Sequence, residues 1–268
     1  MIFELDLAGQ RWKVDISKAE IEKVHIPVVR WCMAQQKAQS GRFVVFLSGP
    51  PGSGKSTVAA LWERLAGDAD ATAATPARAV AWQALPMDGF HFTNNLLTER
   101  TVNRDGIQMP LSKIKGAPET FDLESLVSAI EQVCDACTVT WPLYDRQIHN
   151  PVPEALPVIR KGVIVIEGNY LLLDEPKWRD LGCKSDLRIF LECTESVAKE
   201  RIISRALRSG RSRGDAEAYF EFTDKYNYER VMKKRKDVDM VFSLDADGVL
   251  KHIIDNAGGN ANGSAQMD

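Results

Sequence analysis

Apolar and polar residues alternate at the start of the chain. Phe3, Leu5 and Leu7, then Trp12, Val14 and Ile16, give two short runs with one apolar face each, the pattern of a small hairpin. Ser17 and Glu20 stand at capping-box spacing before Ile21, Val24, Val28, Trp31 and Cys32, which recur at helical period. Pro27 falls inside that pattern and predicts a kink or a division, because proline has no N–H to give and its ring crowds the preceding turn. From residue 42 the pattern changes to a continuous apolar run, Phe43 to Leu47, as expected of a strand buried on both faces. Val80 to Leu85, Val139 to Trp141, Val163 to Ile166, Leu187 to Leu191 and Met240 to Ser243 read the same way. Helical patterns at 57–65, 122–134 and 196–209 lie among them. Strands alternating with helices predict an α/β fold layered about a parallel sheet. Residues 1–40 are expected to form a hairpin and helix covering the core domain of 41–256. Residues 67–77 form an Ala/Thr-rich connector, and 257–268 have too little apolar content to order.

Composition narrows the class. Lys and Arg number 34 against 37 Asp and Glu, a net charge of −3, which gives no support for a nucleic-acid or membrane-surface role. The longest apolar runs fall far short of the roughly 20 residues that span a bilayer. The N-terminus lacks the basic region of a secretory signal. Five cysteines at irregular spacing suit a reducing cytosol, so a soluble, cytoplasmic protein is expected. Cys134 and Cys137 stand without the second pair that a zinc site needs.

The chemistry begins at Gly49-Pro50-Pro51-Gly52-Ser53-Gly54-Lys55-Ser56, which matches G-x-x-x-x-G-K-[ST] at every fixed position. Glycines let successive backbone N–H groups close around phosphate oxygens, Lys55 brings a cation to the β- and γ-phosphates, and the Ser56 hydroxyl suits Mg²⁺. The loop follows an apolar strand and opens a helix whose positive dipole end faces the same anion. Gly49, Gly52, Ser53, Gly54, Lys55, Ser56 and Thr57 are therefore the expected ATP-binding residues. Such a loop predicts nucleotide binding without fixing a reaction.

The acids at the other strand ends have to decide. Asp88 follows the second buried strand, where the carboxyl ends of an open α/β sheet line the ligand crevice. There it could accept the proton of an attacking hydroxyl, or it could merely cap the turn before Gly89. Glu167 ends the run Val163 to Ile166, at the place of a Mg²⁺-adjacent acid, with a strand-end ion pair as the plainer alternative. Arg201, Arg205, Arg208, Arg211 and Arg213 crowd one helix and the loop after it. They suit either charge neutralisation on a migrating phosphoryl group or a solvated basic face.

These residues resemble the superfamily of uridine kinases, phosphoribulokinases and type I pantothenate kinases. Asp88-Gly89-Phe90, Asn94, Leu97, Glu99-Arg100 and Gly116-x-Pro118-Glu119-Thr120-Phe121-Asp122 are similar to the pantothenate kinases, as is Ile26-Pro27-x-x-Arg30. Pro142-Leu143-Tyr144-Asp145-Arg146-x-x-His149 is similar to the uridine kinase stretch whose Tyr and His touch the base. It departs from that stretch at Arg146, where an aromatic residue would follow the Asp, and at Pro151. Arg146 suits an anionic or polyol acceptor, or pairs with Asp145.

The resemblance implies a three-layer P-loop NTPase fold with a helical lid at about 201–215. It implies ATP and Mg²⁺ as cofactors and a γ-phosphate transfer to a small-molecule alcohol, such as a nucleoside, a sugar or a pantothenate-like compound. Asp88 is then the general base, Lys55, Arg205 and Arg208 act on the phosphates, and Ser56 and Glu167 hold the metal. Asp88, His91, Tyr144, Arg146 and His149 contact the acceptor. A homodimer is left open. The competing class is a regulatory or assembly NTPase with no small-molecule acceptor.

Overall fold

The computed structural model describes residues 1–7, 10–71, 80–104, 106–135 and 137–255. The first strands, β1 (Ile2–Leu7) and β2 (Gln10–Asp15), pair antiparallel with Leu5 opposite Trp12. Helix α1 (Lys18–Glu20) follows, with the Ser17 side chain accepting from the Glu20 amide. The division expected at Pro27 takes the form of a π-helical turn, Ile21–His25, set directly before α2 (Ile26–Lys37), whose first turn holds the proline. That turn buries His25. Trp62 Nε1 donates to its Nδ1 at 3.0 Å, and its Nε2–H meets Glu20 Oε1 at 3.2 Å.

The central sheet is built from β3 (Arg42–Ser48), β4 (Trp82–Pro86), β9 (Gly162–Gly168), β10 (Leu187–Cys193), β11 (Met240–Leu244) and β12 (Leu250–Asp255). Their spatial order is β12-β11-β10-β3-β9-β4. All neighbours are parallel except β11 and β12, so the sheet is mixed and mostly parallel. The exception has a simple cause. Only residues 245–249 separate the two strands, too few for a crossover, and Asp245 Oδ1 closes them into a hairpin by accepting from the Asp247 and Val249 amides.

The run at Val139 to Trp141 does not join this sheet. It enters β7 (Thr140–Asp145), which pairs antiparallel with β8 (Asn150–Pro157) in a separate ribbon, as β5 (Thr101–Arg104) does with β6 (Ile107–Pro110). Trp141 still packs inward, fully buried, with its Nε1 donating to Pro86 O at 2.8 Å. An apolar residue there reflects packing against the end of β4 rather than a place in the parallel sheet.

Two apolar clusters cover the two faces of the sheet. Phe43, Val45 and Leu47 of β3 join Val28 and Cys32 of α2 and Leu61 and Trp62 of α3 (Lys55–Ala71), together with Leu5 and Ile16 of the N-terminal hairpin. Val44 and Phe46 join Leu126, Ile130 and Val133 of α5 (Leu123–Cys134) on the opposite face. Strand side chains alternate between the faces, so one continuous apolar run feeds both layers. Removing a ring as deeply buried as Phe46 costs about 3–5 kcal/mol. Helix α4 (Asn94–Glu99) covers a third, small cluster with Leu97, Leu111 and Ile114. The chain then completes α6 (Glu195–Arg208), α7 (Arg213–Tyr219) and α8 (Lys225–Lys233). Of the expected connector, residues 67–71 continue α3, while 72–77 and the expected tail 257–268 lie outside the described residues.

Candidate active site

Three strands end on one edge of the sheet and bring the predicted chemistry together. Ser48, the last residue of β3, pairs with Gly168, and Pro86 of β4 pairs with Glu167 of β9. The phosphate loop leaves β3 and Asp88 leaves β4, so both flank the Glu167 end of the strand between them. In the loop, Gly54 has a positive φ of 92°, where a Cβ would stand 3.2 Å from Arg201 Nη2. Only glycine suits both the backbone and the guanidinium lying on it.

Lys55 is buried, and its ammonium donates to Pro50 O at 2.8 Å and Ser53 Oγ at 3.3 Å. Burial pushes its pKa down to about 8 against the pull of Glu167 and Asp88. Ser56 Oγ donates to Glu167 Oε1 at 2.8 Å. Burial and the nearby charge of Asp88 raise the Glu167 carboxyl to about 7, while Lys55, the Ser56 bond and Arg146 oppose the rise. A hydroxyl and a desolvated carboxylate side by side are hard oxygen donors. They fit Mg²⁺, which takes one or two protein oxygens and completes its shell with water and phosphate. Thr57 is half-buried in the first turn of α3.

The residues expected to contact an acceptor come from separate segments. Asp88 sits on a 3₁₀ turn, Met87–Phe90, with its side chain 44% exposed, so a substrate can reach it. His91 Nδ1–H donates to Asp88 O at 2.9 Å, and its ring lies 3.8 Å from Phe121 and 5.4 Å from Tyr144. Burial lowers the His91 pKa. Burial, then the Asp88 charge, pushes the Tyr144 hydroxyl up to about 12. Arg146 Nη2 stands 4.0 Å from Asp88 Oδ2. His149 is exposed with φ 54°, and its carbonyl accepts from Lys115 Nζ at 2.8 Å.

The arginines expected to form a lid separate. Arg201 lies on the phosphate loop at Gly54. Arg205 is exposed and feels the charges of Arg146, Asp224, Asp88 and Arg208. Arg208 stacks 4.9 Å over Trp12 of the N-terminal hairpin. Arg211 stacks 4.9 Å over Tyr219, whose hydroxyl donates to Lys115 O at 2.9 Å. Sequence reasoning named Arg201 only as one of a crowd. It passed over Lys115, which stands immediately before the Gly116-x-Pro118-Glu119 stretch. Cys134 Sγ donates to Lys184 O at 3.0 Å, and among the described residues no group of three or more His, Cys, Asp and Glu is placed to hold a metal. Among those residues, too, no helix is long and apolar enough to cross a membrane.

This arrangement is that of a phosphate-loop kinase, and comparison with known proteins places it further. The model of the phosphoribulokinase / uridine kinase family matches residues 44–245, and the chain belongs to that family. "Uncharacterized protein YggC" of Escherichia coli (strain K12) is 39% identical over 249 residues, covering 92% of this chain and 98% of that one. "Putative uridine kinase C227.14" of Schizosaccharomyces pombe is 32% identical over 188 residues, 69% of this chain and 74% of its own. Among solved structures, a "putative fructose transport system kinase" from Silicibacter sp. TM1040 superposes with a TM-score of 0.68 at 32% identity. It covers 81% of this chain and 98% of its own.

Proposed function

We propose that this chain transfers the γ-phosphate of ATP to a hydroxyl of a small metabolite. The observation that carries the reading is the single sheet edge shared by the phosphate loop, the Ser56–Glu167 pair and the half-exposed Asp88. Asp88 takes the proton of the acceptor hydroxyl as its oxygen bonds to the γ-phosphorus, and the bond to the β–γ bridging oxygen breaks with its electrons leaving on ADP. Lys55 turns from Pro50 and Ser53 to the phosphates, which repay the buried ammonium better than a neutral carbonyl does. Ser56 and Glu167 would hold Mg²⁺, which would supply charge neutralisation of the triphosphate. Arg205 offsets charge on the migrating group, and Arg208 joins it by leaving the Trp12 ring. Closing the lid keeps out water, which would otherwise accept the phosphate.

The test is Asp88→Asn, assayed for ADP formation and product mass across nucleosides, pantothenate and sugars. The expected variant binds ATP normally and loses at least ~10²-fold in turnover, the scale of a lost general base. Near-normal turnover with the same acceptor removes Asp88 from the mechanism. ATP hydrolysis stimulated only by a macromolecule would replace the kinase with a regulatory NTPase.

A further inference from the structure

Beside Asp88 stands a cation whose N–H donors meet no hydrogen-bond acceptor among the described residues. Arg146 follows Asp145, and pairing between the two would have explained it. Instead Asp145 Oδ1 accepts from the Gln147 and Ile148 amides, at 2.7 and 3.2 Å, and closes the turn of the β7–β8 ribbon. The nearest carboxylate, Asp88, is 4.0 Å away, outside hydrogen-bond reach. No acceptor among the described residues takes the N–H groups of this half-exposed guanidinium. Lys115 adds a second cation to the same wall. Two of its three N–H bonds go to Asn94 Oδ1 and His149 O, at 2.6 and 2.8 Å, and its ammonium stands 5.2 Å from the centre of the Tyr144 ring.

We infer that the phosphate acceptor is an alcohol that carries its own anionic group, a carboxylate or a phosphate, bound by Arg146 with Lys115 beside it. The inference rests on the kinase reading only for where the hydroxyl sits. A guanidinium presents two parallel N–H donors in a fixed fork that matches two anionic oxygens side by side, and such bonds between opposite charges are stronger than those it would make to the hydroxyls of a neutral polyol or to a nucleobase. Geometry also limits size. With Asp88 holding the hydroxyl and Arg146 the anion, the two groups lie within about 10 Å of each other, the sum of two hydrogen bonds and the gap between the side chains.

Calorimetric binding to the full chain loaded with Mg²⁺ and ADP tests this without requiring turnover. The titrants are matched pairs, ribose with ribose 5-phosphate, glycerol with glycerate and pantothenol with pantothenate, together with uridine. The expected result is that at least one acid binds ~10-fold or more tightly than its neutral partner, the range of a charge-assisted pair. The phosphate and carboxylate members tell the two anions apart. Arg146→Gln should erase that margin with ADP binding unchanged, and Arg146→Lys should keep part of it, because charge survives while the planar fork is lost. Equal binding of a neutral partner, tightest binding of uridine, binding of no acid, or a margin that survives Arg146→Gln overturns the inference. Tight binding of an acid that yields no phosphorylated product with ATP leaves the anion site standing and removes the kinase reading instead.

Discussion

The two sides of the cleft are built on different principles. The phosphate side is one contiguous loop between a fully buried strand and a helix, and its cation is buried and hydrogen-bonded to the loop itself. The proposed acceptor side gathers Asp88, Lys115, Tyr144, Arg146 and Tyr219 from separate segments, leaves Asp88 and Arg146 partly exposed and leaves donors of Arg146 without a hydrogen-bond acceptor. Holding a triphosphate is a backbone task that a few adjacent residues perform in any context. Choosing an acceptor is a side-chain task that depends on how distant segments dock. The acceptor side should therefore be more sensitive to what lies beneath it than to its own lining.

The largest effect should come from Gly89, where the acceptor ribbon crosses the turn bearing Asp88. A Cβ there would stand 2.0 Å from Pro142 O and 2.4 Å from Pro142 C, both backbone atoms. Gly89→Ala should push the ribbon off Asp88, with a turnover loss of ~10²-fold or more and about 2–3 kcal/mol less stability. Gly67→Ala, in open space on α3, should instead stabilise by about 0.5–1 kcal/mol, and urea unfolding reads both. Arg230 is next. It reaches from α8 to Glu119 at 2.7 Å and to Glu175, tying α8 to the turn Pro118–Thr120 that precedes Phe121. Arg230→Met strands Glu119, leaves Glu175 with Lys234 alone, and should cost about 3 kcal/mol, measured by the same unfolding curve. On the phosphate side, Arg201→Gln should raise the KM for ATP about 10-fold by removing the guanidinium at Gly54. Trp12→Ala frees Arg208 and should change the same KM by no more than about 3-fold, since an exposed cation–π contact amounts to less than about 1 kcal/mol.

What the sequence made legible follows the same divide. The loop, its helix, Asp88 and Glu167 were readable because each sits next to its own signal, a glycine-rich turn or the end of an apolar run. The layered fold was readable because strands buried on both faces lack polar alternation. The antiparallel β12 was not, since Leu250 to Asp255 alternates weakly and follows a short polar turn. The ribbon at Trp141 looked like a sheet strand because one buried ring and its neighbours mimic a short apolar run. The division of labour among the arginines was invisible. Arg201 and Arg208 lie two turns apart on one helix, yet one rests on Gly54 and the other on Trp12, partners about 150 and 200 residues away in sequence. Lys115 carried no signal of its own, because a lysine before a glycine is ordinary until a fold brings Asn94 and His149 to it.

The smallest expected effect tests whether the acceptor side really stands on an electrostatic frame. Hydrogen bonds from Arg230, more than opposing burial, hold the Glu175 carboxyl below its ordinary value near 4.5, with Lys234 adding to the pull. Below that ordinary value the unfolded chain takes up a proton at this position while the folded chain does not. Stability from the clamp is therefore complete above the ordinary value and drains away as the pH falls through the lower, folded value. Unfolding free energies of the wild type and of Glu175→Gln should accordingly lie furthest apart near neutral pH. They should converge on acidification, as the wild-type carboxyl is neutralised and becomes the near-isostere of the amide. A gap that stays constant to acid pH would mean that Glu175 acts by packing alone, and the contrast between an electrostatic frame under the acceptor and a backbone cradle around the phosphate would lose its physical basis.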